Sequence, residues 1–310
     1  MYSKIVRDDK YKLRIIDFIK NEYGINAKYF IAAKRGFYGE TWKLSAGSAD
    51  YFIKIVYCNE HKTTYEKSFS VVQRLNDFGI DYISQIVKTK TGDLFSRFDG
   101  AVMGVFNWIE GENVETDATK PFEYQMLAKV YTTPCEGLGI EEEDFSNKCA
   151  DEFFGLWSNL EDKKILLLLE TNRKILEHRA ARLNLFSGLN KEDKSGFVIT
   201  HGDAGGNFLV SGDKNYIVDW DGATFAPPER DAWVMCSHDW ARELFQKALH
   251  ENGIAYKLRS ERLAYYCYRF FFFYLNSFLY ANSETEAIAE YIDCWIKDSI
   301  QWADTFSTFS

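Results

Sequence analysis

The chain has little proline, four residues in 310, and no uninterrupted apolar stretch of the roughly 20 residues that a membrane-spanning helix needs. The nearest approach, Ala264 to Ala281, is interrupted by Arg269 and Asn276 and reads as a buried helix. Its six cysteines, at 58, 135, 149, 236, 267 and 294, form no Cys-x-x-Cys pair and have no His ladder beside them, which excludes a zinc ribbon. The start, Met1-Tyr2-Ser3-Lys4 with Arg7 to Lys10 following, lacks the apolar centre of a signal peptide, so reduced thiols in a cytoplasmic protein are expected. Positive charge is also short: 37 Lys and Arg against 46 Asp and Glu leave −9, the wrong sign for a nucleic-acid binder. No Walker sequence and no Gly-x-Gly-x-x-Gly occur. What the chain does have is 46% hydrophobic and 17% aromatic residues, enough for a dense globular core in about two domains.

Short apolar runs at 29–33, 41–44, 51–57, 94–98 and 101–106, with turn signals at Thr91-Gly92-Asp93 and Asp99-Gly100, predict an antiparallel sheet in the first third. One helix, about His61 to Phe78, is expected within it, from Tyr65, Phe69, Val72 and Leu75 at helical spacing and Gly79 as a stop. From Thr119 the pattern turns helical, over 121–131, 150–160, 163–185 and everything after Glu229, around a small β island at Phe197 to Asp221. The boundary between the β and α parts falls near Phe106 to Gly111.

The island reads Thr200-His201-Gly202-Asp203-Ala-Gly-Gly-Asn207, then Ile217-Val-Asp219-Trp220-Asp221. Two apolar strands each end in a carboxylate, and an Asn lies four residues after the first. Phosphoryl transfer uses such a set: an acceptor for a hydroxyl proton, and oxygen ligands for magnesium on nucleotide phosphates. A plain hairpin with polar turn residues is the competing reading, but it requires neither a His-x-Asp before the Asn nor the second Asp. Lys54, inside the apolar strand 51–57, is costly to bury unless it pairs with phosphate and a carboxylate. Glu66, twelve residues on, is the expected partner; a lysine on the solvent face of an edge strand is the alternative.

The island resembles that of the aminoglycoside phosphotransferase and choline kinase-like family, and the run from Asp219 to Pro228-Glu229-Arg230-Asp231 is most similar to its spectinomycin-type branch. The resemblance implies an α+β, bilobal protein-kinase-like fold, with a small antiparallel N-terminal lobe (1–107) holding one helix and a larger, mainly helical C-terminal lobe (108–310). It makes Asp203 the catalytic base, Asn207 and Asp219 the magnesium ligands, and His201 and Asp231 architectural. Lys54, Glu66 and the backbone of the loop with Gly36 and Gly39 would serve the nucleotide phosphates, and Phe106, Asn107, Trp108 and Ile109 the base, unless that segment is only a linker. Here three residues separate Asp203 from Asn207, one fewer than the family usually has. There is no His-Arg-Asp, and no Asp-Phe-Gly leads an activation segment ending in Ala-Pro-Glu, which argues against a protein kinase.

The implied activity is an ATP- or GTP-dependent, magnesium-requiring kinase for a hydroxyl of an aminoglycoside or aminocyclitol. The rivals are a kinase of choline, ethanolamine, methylthioribose or homoserine, and a catalytically silent nucleotide-binding module. A cationic acceptor is expected from the acidic balance, with Asp221 and Glu229 as its contacts and the cluster 141–144 as a solvated face that attracts it. Neither a nucleic acid nor a membrane is expected as partner, and the sequence leaves the oligomeric state open.

Overall fold

A computed structural model of the chain describes residues 7–33, 39–295 and 297–306. The elements begin with α1 (Asp9–Tyr23), β1 (Tyr29–Ala32), β2 (Glu40–Ser45), β3 (Asp50–Val56), α2 (Asn59–Asp77), β4 (Ser96–Phe98), β5 (Ala101–Asn107), β6 (Glu112–Asn113) and α3 (Lys120–Val130). Next come α4 (Lys148–Ser158), α5 (Lys163–Thr171), α6 (Arg173–Asn190), β7 (Val198–Thr200), β8 (Phe208–Ser211), β9 (Lys214–Ile217) and β10 (Thr224–Ala226). The C-terminal part is α7 (Glu229–Ala232), α8 (Asp239–Glu251), α9 (Ser260–Tyr280), α10 (Thr285–Glu290) and α11 (Lys297–Thr305). They pack as two compact units, one formed by the chain to Glu141 with His201–Thr224, the other by Glu142–Thr200 with the chain from Phe225 onward.

The first unit is built on a five-stranded sheet in the order β1-β2-β3-β5-β4, every pairing antiparallel. Period-two alternation sends Trp42, Leu44, Ile53, Ile55, Met103 and Val105 to one face, where Tyr11, Ile15, Ile19 and Tyr23 of α1 cover them. The sequence pattern for α1 is plain in retrospect: Asp8 accepts from the Tyr11 N–H as N-cap, apolar residues recur every fourth position, and Gly24 closes the helix at φ 72°. The N-terminal part therefore carries two helices where one was expected. Phe52, Lys54, Gly104 and Phe106 alternate onto the opposite face. There a side chain at Gly104 would meet the Phe69 ring and the Tyr65 hydroxyl within 2.7 Å, so this glycine lets α2 approach the middle of the sheet. The hairpin from β4 to β5 turns at Asp99 (φ 49°) and Gly100 (φ 76°), two left-handed residues as a tight two-residue turn demands. A second small sheet in this unit, β6-β8-β9, presents the loop ends considered below.

The second unit is helical around α9, which packs against α4, α6, α7 and α11. Leu263, Ala264, Tyr265, Tyr266, Phe271, Phe272 and Leu275 of α9 are fully or almost fully buried, each large apolar one contributing about 1.5–3 kcal/mol. Its Asn276 donates its amide nitrogen to the Cys149 carbonyl at 2.8 Å and to Glu152 at 3.1 Å within the protein, so the aromatic stretch is a core helix. Among the described residues no helix is long and apolar enough to cross a membrane. The helix expected over 163–185 is two, because Asn172 ends α5 and precedes α6.

Candidate active site

The chemistry-bearing loops of the first unit converge at one end of the β8–β9 hairpin. His201 is 2% exposed and faces the Trp220 ring edge-on at 4.7 Å. Its Nδ1 accepts the Asp203 backbone N–H (3.2 Å), so its Nε2–H donates to the Val218 carbonyl (2.8 Å), a tautomer assigned from this network. The imidazole thus ties the loop that begins at Gly202 to the end of β9. Gly205 to Asn207 form a single 3-10 turn. The shortened loop closes through this turn: Asn207 Nδ2 donates to the Asp203 carbonyl at 2.8 Å and to Asp203 Oδ2 at 3.3 Å. The Asn207 backbone carbonyl accepts from Val218 N–H (3.1 Å), which places Asn207 opposite the residue that precedes Asp219.

Lys54 lies on β3, the middle strand, opposite Thr41 and Gly104. Its side chain is 7% exposed, and its ammonium sits 2.7 Å from Asp219 Oδ1 and 2.5 Å from Asp221 Oδ2, whose side chains keep 42% and 30% of their area open. Burial works to lower the Lys54 pKa, but the carboxylates of Asp221 and Asp219 outweigh it and the net shift is upward. One ammonium does not balance two carboxylates. Burial, opposed by Lys54 and reinforced by Asp219, raises Asp221, while Lys54 overcomes burial at Asp219 and holds its carboxyl low. Asp219 adopts φ 63°, a left-handed conformation that costs about 1–2 kcal/mol for a residue with a side chain. Such strain collects where a side chain has to be aimed. Asp203 keeps an exposed tip; desolvation by the surrounding protein raises its pKa, His201 and the Asn207 amide oppose this, and Asp219 and Glu115 add to it.

Several expected residues are placed otherwise. Glu66 pairs with Arg97 at 2.7 Å, and the carboxylates found on Lys54 are those of Asp219 and Asp221, so the expected Lys54–Glu66 pair is corrected. The helix register that made Glu66 attractive turns it toward β4 instead. Asp221, expected as a substrate contact or a group near the metal, is a lysine partner. Glu229, the other expected substrate contact, is 0% exposed; its carboxylate accepts from Tyr256 (3.0 Å) and from the Arg259 N–H (2.7 Å), which leaves no face for a ligand. Asp231 lies half-buried in α7, in the second unit. Of the acidic cluster, Glu143 is buried under the Tyr265 and Tyr266 hydroxyls, while Glu141, Glu142 and Asp144 pair with Lys67, Lys194 and Lys148. Gly36 lies outside the described residues. Gly39 packs closely on β3, where a side chain would meet the Ile55 carbonyl at 2.9 Å. In the segment 106–109, the Asn107 and Trp108 N–H groups are already donated to the Gln85 and Asp50 carbonyls.

Sequence reasoning passed over Glu115 and Lys120. Lys120 is buried, 2.8 Å from Glu123 and 3.2 Å from Glu115, and a side chain on Gly205 would come within 2.5 Å of Glu115 Oε1 and 2.9 Å of Lys120 Nζ. A side chain at Gly205 would therefore displace the Glu115 and Lys120 ends, and Glu115, with 45% of its side chain open, stands over the loop that carries Asp203. The only hint in the sequence was a lone lysine entering an amphipathic helix.

The donor set fits a hard divalent cation. Asn207 spends its amide nitrogen on Asp203, which leaves its side-chain oxygen as a ligand, and Asp219 gives Oδ1 to Lys54 while its carboxyl also bonds with that of Asp221. Among the described residues no cluster of three or more His, Cys, Asp and Glu is arranged for a metal, and magnesium characteristically takes one or two carboxylates plus phosphate oxygens.

Comparison with known proteins matches this chain to the model of the phosphotransferase enzyme family (APH) over residues 31–271. Among solved structures, a spectinomycin phosphotransferase, APH(9)-Ia, with ADP and spectinomycin is similar with TM-score 0.77 and 18% identity, over 94% of this chain and 97% of that one. A microcompartment-associated aminopropanol kinase gives 0.62 and 14% over 94% and 96%, and an amicoumacin kinase with AMP-PNP and Ca2+ gives 0.63 and 11% over 95% of both. At such identities these likenesses establish the kinase-like fold. No curated protein matches the sequence at a significant level.

Proposed function

The chain belongs to the phosphotransferase enzyme family, and from that premise we propose that it transfers the γ-phosphate of ATP or GTP to a hydroxyl of a small cationic acceptor in the cytoplasm, with spectinomycin-like aminocyclitols and aminoglycosides as the leading class. The observation that carries the proposal is the Lys54–Asp219 ion pair at 2.7 Å, set at the same end of the β8–β9 hairpin as Asp203 and Asn207. In this reading Lys54 binds nucleotide phosphate oxygens, and Asn207 and Asp219 hold magnesium, which when bound neutralises phosphate charge. Asp203 accepts the acceptor hydroxyl's proton as that oxygen bonds to phosphorus and the nucleoside diphosphate departs. Its raised pKa suits a group that ends the step protonated. The lobe 1–107 supplies the nucleotide's phosphate and base contacts, and 108–310 the catalytic loop and acceptor surface. For the base, the Ile109 amide and the carbonyls of 107 and 108 are the groups to use, since the Asn107 and Trp108 amides are committed.

The acceptor is read as cationic because Glu115 and Asp219 both bear on Asp203 and no lysine is paired with Asp203 itself among the described residues. Two opposite charges about 4 Å apart at an effective dielectric near 20 attract by about 4 kcal/mol before desolvation. An amino-alcohol metabolite is the second reading, favoured by the likeness to the aminopropanol kinase; choline, ethanolamine, methylthioribose and homoserine belong with it. The test is nucleoside-diphosphate release with ATP and with GTP over a panel of aminoglycosides, spectinomycin, choline, aminopropanol and homoserine. Turnover of a cationic member is expected; release with none of them returns the chain to a silent nucleotide-binding module.

A further inference from the structure

The strand lysine of this site needs an anion that stays with it. A buried ammonium without one is strongly destabilising, and a lysine with a flexible four-carbon stem has to be held if it is to meet phosphate in one place. Two carboxylates touch Lys54, and their other duties differ. Asp219 is strained into the left-handed region, keeps the larger open area and follows Val218, the residue paired with Asn207, so it is the carboxylate that a metal-bound nucleotide would claim. Asp221 has a different setting. It belongs to a 3-10 turn, Trp220–Gly222, whose Trp220 is 3% exposed, donates its indole N–H to the Ile217 carbonyl at 3.0 Å and abuts His201, and the turn packs against α2. Glu66, the residue on α2 whose charge would otherwise serve, is engaged with Arg97.

We infer that Asp221 is the positioning residue for Lys54, doing from the Asp-Trp-Asp turn what a helix glutamate was expected to do from α2. This rests on Lys54 being the nucleotide-binding lysine. The turn's two carboxylates then hold separate roles, with Asp219 exchanging between lysine and metal while Asp221 remains on the lysine throughout.

Double-mutant cycles on ADP affinity, measured by titration calorimetry with and without Mg2+, test it independently of turnover. Because a cycle reads non-additivity, it is insensitive to the general gain in anion affinity from removing any nearby carboxylate. Lys54→Met and Asp221→Asn are expected to be coupled by about tenfold in both conditions, and Lys54→Met and Glu66→Gln by less than about twofold. A coupling that appears on Glu66 overturns the inference, as does an Asp221 coupling that vanishes when Mg2+ is added, since both carboxylates would then serve the metal. Should Asp221→Asn fold poorly, the Lys54–Glu66 cycle decides alone: additivity supports the assignment and tenfold coupling overturns it. If Lys54→Met by itself leaves ADP affinity unchanged, the failure lies in the nucleotide reading of the site and not in the choice of partner.

Discussion

Each compact unit buries a cation among carboxylates, and the two arrangements are built to different ends. In the second unit Arg262 is 0% exposed and donates to the Asp193 and Ser195 carbonyls and to the Tyr256 hydroxyl at 2.6–2.8 Å. Glu229, also 0% exposed, is closed off by Tyr256 and the Arg259 N–H. In the first unit Lys54 is nearly as buried, but its two carboxylates keep 42% and 30% of their side chains open. A sealed network spends its hydrogen-bonding capacity on the fold, and an open one holds capacity in reserve for a ligand. Composition does not separate them; the closed Glu229 against the 42%-open Asp219 does, although Asp193, 3.3 Å from Arg262, is itself 41% open.

Breaking the open network at its reacting end has the largest expected effect. Asp203→Asn should lower kcat by about 100- to 10,000-fold while nucleotide affinity changes little, because only proton acceptance is lost. Steady-state kinetics beside a nucleotide titration on the purified, folded variant checks it.

The sealed network should respond to pH through stability and not through activity. Burial pushes Glu229 from 4.5 up to about 7, against the opposing Arg259 N–H and Arg262 charge. Since the folded-state pKa is raised, its stabilising protonation is fully present below about pH 4.5 and is lost as pH rises through 7. That difference amounts to about 3 kcal/mol. Glu229→Gln should therefore gain stability relative to the parent between pH 5 and 8, as read by denaturant unfolding; a constant difference across that range would mean that the carboxylate is ionised in the fold.

A smaller effect sharpens the role of Glu115. Glu115→Gln should raise KM for a cationic acceptor by about fivefold, the order of a partly exposed charge pair, and leave KM for a neutral polyol alone. The parent's KM for the cationic acceptor should rise with potassium chloride and the variant's much less, because exposed pairs are screened over about 8 Å.

How much of this was legible beforehand follows from the range of the interactions. The sheet strands, the Asp99-Gly100 turn and α2 were legible because alternation, turn chemistry and helical spacing are local. So were the positions of Asp203, Asn207, Asp219 and Lys54, at a strand end or in an apolar strand; the structure brings Lys54 to Asp219 and Asn207 to Asp203, and their roles are those of the proposed function. The partner of Lys54 was not. Glu66 is twelve residues away and Asp221 is 167 away, and only the packing of the Trp220 turn on α2 decides between them. Glu229 was expected as an acceptor contact from the acidic balance alone; the tertiary hydrogen bonds from Tyr256 and Arg259 closed it. The helix α1 carried its caps and apolar spacing openly, but its charged start drew attention to targeting and away from structure.

The most direct test of the open-against-sealed distinction is the thermal shift produced by magnesium and nucleotide on three proteins: the parent, Asp219→Ala and Glu229→Gln. A ligand that binds only the folded state raises Tm in step with its affinity. The account predicts that Glu229→Gln keeps the parent's magnesium-dependent shift and that Asp219→Ala loses it. Loss of the shift in Glu229→Gln with its retention in Asp219→Ala would contradict the account.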